Sequence, residues 1–168
     1  EASGGDDITG PNINLAFPGG RLRVQPSTEL EAVVHDTSGI NILASNPANS
    51  LLLEFDGSGL YNDVTDLFAF DAGSYTRGRV RVPLPGDLAL GAHKVALLAS
   101  DMFGNVGTDT LSFQLGAAGV ADIFDVTVFP VPTPGPCRLV CEVSDPMDLR
   151  WDIYTVSGRR IRSLRESY

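Results

Sequence analysis

The chain has 168 residues, 43% of them hydrophobic and 20% charged, with 12 Lys and Arg against 21 Asp and Glu for a formal net charge of -9. This length and apolar content exclude wholesale disorder and admit one large domain or two small ones. The acidic balance argues against a nucleic-acid partner, and no apolar run reaches the length of a transmembrane segment.

The chain starts at Glu1 rather than Met and shows no signal peptide, so it is expected to be a processed or excised piece. Its 18 Gly and 11 Pro fall between short apolar runs, which is the punctuation of an all-β protein. Residues 1–8 are small, acidic and polar and read as a linker. In ELEAVVHD, Leu30, Ala32 and Val34 share one strand face. LLLEF at 51–55 is apolar apart from Glu54 and is expected to be buried on both sides. DVTDLFAF at 63–70 is the one stretch with room for a helical turn. GRVRVPL alternates cleanly, with Val80, Val82 and Leu84 opposite Arg79 and Arg81. Pro83 has no N–H to donate, so this strand is expected at a sheet edge or at its own end. HKVALLASD reads as a central strand, and DTLSFQL places Leu111, Phe113 and Leu115 together. These runs predict one β-sandwich over 9–116, with Val80, Val82, Val95, Leu97, Leu111 and Phe113 in its core.

Residues 117–122 are small and read as a joint, followed by a second unit over 123–168. Val126 and Val128 start a strand, and Pro130, Pro132, Pro134 and Pro136 force an extended connector. Leu139, Cys141 and Val143 are expected to face inward, as are Leu149, Trp151 and Ile153. Ser157-Gly158 reads as a two-residue hairpin turn. Three or four strands are too few for a closed sandwich, so this unit is expected to be partial.

Candidate chemistry is sparse. Cys137 and Cys141, four residues apart on an extended strand, would lie about 13 Å apart, too far for a disulfide. With no histidine nearby in sequence they make no zinc set. His35 and His93 both fall on strands, and no nucleophile-elbow motif accompanies them. Asp36, Asp101 and Asn105 sit in oxygen-rich turns at strand ends. Such turns meet at one pole of a sandwich, where carboxylate, amide and carbonyl oxygens suit calcium. Asx-turns are the simpler account of the same residues. From Arg150 onward five arginines face only Asp152 and Glu166, a basic end that fits an anionic partner or a solvated strand face.

Two passages carry a family resemblance. The first runs from DTSGIN through LLLEFDG to the end of LSFQL. Tyr75, Gly78, Val80, Pro83, Leu84, Leu88, Gly91, His93, Ala99, Asp101 and Asn105 match its pattern. It resembles the immunoglobulin-like domain that follows the catalytic domain in gingipain-type cysteine peptidases, including the sortase of the type IX secretion system. The second is VTVFPVPTPGPCRLVCEV with LRWDIYTVSGRRIRSL. It is similar to the start of the type A C-terminal sorting domain of type IX cargo and to the immunoglobulin-like domain of flagellar hook-capping proteins. Phe129-Pro130-Val131-Pro132 stands for Y-P-N-P, with Val131 in place of Asn. Ile153, Tyr154, Gly158, Arg159 and Ile161 match the second half.

The resemblance implies an all-β chain in which an immunoglobulin-like β-sandwich precedes a partial sorting-type domain. It implies a non-catalytic accessory region whose partner is the upstream peptidase domain of the same chain. Secretion machinery and surface lipopolysaccharide are further expected partners, at an extracellular or outer-membrane-surface location. No catalytic or cofactor-binding residue carries over. The rival expectation is an adhesin or carbohydrate-binding sandwich, with calcium on Asp36, Asp101 and Asn105 and with Trp151, Tyr61 and Tyr75 as stacking candidates. A third class, hydrolysis by this chain itself, has no motif behind it.

Overall fold

Alternation of apolar and polar side chains decides which face each strand buries, and here it builds two facing sheets. The computed structural model describes residues 7–43, 50–119, 121 and 123–167. The chain divides into two units, Glu1–Ala118 and Gly119–Tyr168.

In the first unit, β1 (Asn12–Ala16), β2 (Arg23–Val24), β3 (Glu29–His35), β4 (Ile40–Asn41) and β5 (Leu52–Phe55) precede β6 (Tyr61–Asp63) and β7 (Phe68–Phe70). They are followed by β8 (Arg77–Pro83), β9 (Gly91–Asp101) and β10 (Val106–Leu115). One sheet runs β1-β3-β8-β7, and the other runs β2-β10-β9-β5-β6 with β4 also on β9. Neighbours pair antiparallel except β2 with β10, which is parallel. β9 is central, as its long apolar run predicts. β8 lies between β3 and β7, and Pro83 is its last residue, opposite Glu29. The proline therefore ends an interior strand rather than marking an edge.

Ile13 and Leu15, then Leu30, Ala32 and Val34, then Val80 and Val82 come from the first sheet. Leu53, Val95, Leu97, Phe113 and Leu115 meet them from the second, in one buried cluster. Each large aliphatic so buried stabilises by about 1.5–3 kcal/mol. Phe17 and Phe113 add an edge-on ring pair with centroids 5.0 Å apart. Leu111 is only partly buried at the margin. In 51–55, Leu51 and Leu53 are buried while Leu52, Glu54 and Phe55 are half-buried, so this strand has one deep face rather than two. A 3-10 turn at Thr65–Leu67 occupies the stretch expected to hold one, and a second at Pro18–Gly20 was not foreseen.

The second unit contains β11 (Ile123–Phe129) paired with β12 (Arg138–Val143), and β13 (Asp148–Tyr154) paired with β14 (Arg160–Ser167). Among its described residues Leu149 is the one buried hydrophobic. The inward faces expected from sequence are therefore only partly closed. Leu139 and Ile153 are exposed, while Cys141, Val143 and Trp151 are half-buried. The β13–β14 turn also differs from expectation. Gly158 N donates to Thr155 O, so Val156 and Ser157 are the central residues and Gly158 follows at φ 83°. That is a turn with a left-handed glycine bulge, a three-residue connection rather than a two-residue one. The described residues contain no helix long and apolar enough to cross a membrane.

Candidate functional site

Strand ends gather three of the first unit's carboxylates, Asp7, Asp36 and Asp101, at one pole. β3 stops at His35 and Asp36 opens the turn to β4, while β9 stops at Asp101 and turns toward Asn105. Met102 N donates to Gly39 O, stitching the two turns together. Asp36 Oδ1 accepts from Ser38 N at 2.8 Å and from Ser38 Oγ. Asp101 Oδ1 accepts from Phe103 N and Asn105 N, each at 2.8 Å. Both aspartates thus make the Asx-turns that their spacing permits.

The same folding brings three sequence-predicted residues together. Asn105 Nδ2 donates to Asp101 Oδ2 at 2.7 Å. It also reaches the backbone oxygen of Asp7 at 2.9 Å, drawing the start of the described chain onto the pole. Carboxylate oxygens of Asp7, Asp36 and Asp101 all lie within 4.8 Å of one another. Asp101 is fully buried and Asp36 nearly so. Hydrogen bonds from Thr9 N and Oγ1, and from Ser38, hold Asp7 below the usual carboxylate range. Asp7 falls in the stretch read as linker, and the sequence carries no signal for it. Its partners lie 29 or more positions away, beyond any local period. Asn105 enters the cluster through its amide N–H rather than through an oxygen ligand.

The other candidates separate. His35 is exposed on the outer face of β3. His93, on β9, is enclosed between Asp56 and the connector before its strand. It borders a cleft of about 620 Å³ lined by Leu53, Phe55, Val64, Val82 and Leu88. Tyr61 and Tyr75 are exposed, and half-buried Trp151 belongs to the second unit. Cys137 is exposed, Cys141 half-buried, and both are free thiols. Both histidines belong to the first unit and both cysteines to the second, so neither unit alone holds a thiol–imidazole pair.

No protein-family model matches the chain, and the search of curated proteins found no match. Among solved structures it is similar to dimeric latent PorU from Porphyromonas gingivalis, with 26% identity and a TM-score of 0.59. The likeness covers 96% of this chain and 16% of that one.

Proposed function

We propose that this chain is a non-catalytic accessory region of a secreted gingipain-type cysteine endopeptidase. In this reading the first unit braces a peptidase domain upstream. The second unit links to type IX secretion and attachment at the cell surface. The observation that carries the reading is the likeness to PorU over 96% of the chain. A lone β-sandwich hosts many unrelated functions. A match that runs through two unlike units in order is more informative than a match to either. The motif resemblance in 36–115 and 126–164 points the same way.

Catalysis is assigned upstream because a cysteine nucleophile needs an adjacent base, and each unit lacks one of the two partners. Arg150, Arg159, Arg160, Arg162 and Arg165, on or beside β13 and β14, are the groups proposed to meet an anionic surface such as lipopolysaccharide. Reading the coding sequence on both sides of the chain tests the proposal. A domain with a His–Cys dyad upstream supports it. A run of further sandwiches with no peptidase overturns it and leaves an adhesin or stalk.

The acidic pole favours a second reading, a calcium-stabilised binding module. Like charges held within 4.8 Å repel, and a divalent cation with oxygen ligands would relieve that repulsion. If calcium binds the folded pole, saturation at about 100 times its dissociation constant adds about 2.7 kcal/mol of stability. Calorimetric melting in calcium, in magnesium and in chelator measures it. An unchanged melting temperature leaves Asp36 and Asp101 as hydrogen-bonded turn residues.

A further inference from the structure

His93 stands near the start of β9 with its side chain 9% exposed. Its Nδ1 is 2.7 Å from Asp56 Oδ2, and its Nε2 is 2.6 Å from the backbone oxygen of Ala89. A backbone carbonyl only accepts hydrogen bonds, and so does an ionised carboxylate. Two short contacts to two acceptors require a hydrogen on each ring nitrogen, which is the imidazolium form. Asp56 is fixed for this part. Its N donates to Lys94 O at 2.7 Å, and its Oδ1 accepts from Lys94 N at 2.8 Å. Asp56 and Gly57 both have positive φ, 58° and 64°, and Ser58 N donates to Phe55 O. This is a tight Asp-Gly β-turn with both central residues left-handed, inside the longer connection from β5 to β6, and the two bonds to Lys94 hold the carboxylate in place.

The opposite side is anchored at Leu84, which is buried in the core, and rests on it through Leu88. Residues 84–90 connect β8 to β9, folded on a turn in which Leu88 N donates to Pro85 O. Pro85 and Leu88 of this connector form one wall of the 620 Å³ cleft, and Leu53, Phe55 and Val64 form the other. The ring spans from the β5–β6 turn to the connector.

We propose that His93 is a pH-operated latch. Its imidazolium clips the 84–90 connector to the Asp56 turn, and loss of its proton frees the connector from the cleft.

The groups facing the ring are few. Asp56 comes from the β5–β6 turn, and Asp87 lines the same cleft from the connector. From β10 the neighbour is the Phe113 ring, its centroid 5.6 Å away and uncharged. From β5 it is apolar Leu53 and Phe55. Lys94, next along β9, is exposed. The Asp56 hydrogen bond raises the His93 pKa above the ordinary 6.5, against the opposing effect of burial. Asp56 is held below 3.8, first by the Lys94 amide and then by His93. The raised histidine contributes fully below about pH 6.5, and its contribution is lost as pH rises through the folded value. The lowered aspartate contributes fully above 3.8 and is lost only as pH falls through its folded value. The latch is therefore closed in mild acid and opens as pH rises through the raised His93 value.

The test needs no variant at first. Ring ¹⁵N shifts of His93 and amide hydrogen exchange are followed in the whole chain from pH 5 to 9. In mild acid both ring nitrogens should carry hydrogen, and the ring should titrate above 6.5. Above about pH 6.5, exchange of the Leu88 amide, which donates to Pro85 O, corrected for intrinsic rates, should rise about tenfold per pH unit until His93 has titrated. Core amides of β3 and β8 should not follow. In His93→Gln the Leu88 amide should exchange fast at every pH. A ring that titrates at or below 6.5, or Leu88 amide exchange indifferent to the His93 titration, overturns the proposal.

Discussion

The two units use the same strand chemistry and reach different ends. The first closes two sheets over nineteen buried hydrophobic side chains among its described residues. The second pairs its strands in two hairpins, each with a register shift, and buries Leu149 alone among its described hydrophobics. Strands pair in both units, and an apolar core closes in one. A two-stranded hairpin is marginal by itself in water, so the second unit's strands have far less holding them than the first unit's do. The buried core that the proposed brace would need belongs to the first.

The largest effect that sharpens this contrast is at Leu97, fully buried on central β9. Leu97→Ala should cost about 2–5 kcal/mol by lost transfer energy and cavity formation, read as a lower urea midpoint by circular dichroism. Next is Gly107, where a Cβ would overlap the Pro11 carbonyl that crosses β10. Gly107→Ala must push that crossing away and should cost about 1–3 kcal/mol, again by urea midpoint. The smallest effect belongs to the second unit. Val140 is half exposed on β12, and Val140→Thr should stay within about 0.5 kcal/mol. A cost there as large as that of Leu97→Ala would erase the contrast.

Much of the first unit was legible because its signal is local. Leu30, Ala32 and Val34, or Val80 and Val82, announce their shared face two residues at a time. Asp36, Asp101 and Asn105 were also legible, since oxygen-rich turns at strand ends converge wherever a sandwich forms. What stayed hidden depends on partners far apart in the chain. Asp7 joins the pole through Asn105, 98 positions on. His93 meets Asp56 across 37 positions. Gly107 is needed because of Pro11, and no pattern around residue 107 says so. In the second unit, alternation at Leu139 and Ile153 was read as burial. Alternation sets which face a side chain takes, while burial needs something opposite that face.

Hydrogen exchange resolved by mass spectrometry over the whole chain tests the central contrast most directly. Amides of β3, β8 and β9 should open only with global unfolding of the first unit, while those of β11 to β14 exchange orders of magnitude faster. Equal protection in both units would contradict the account and make the second unit as self-supporting as the first.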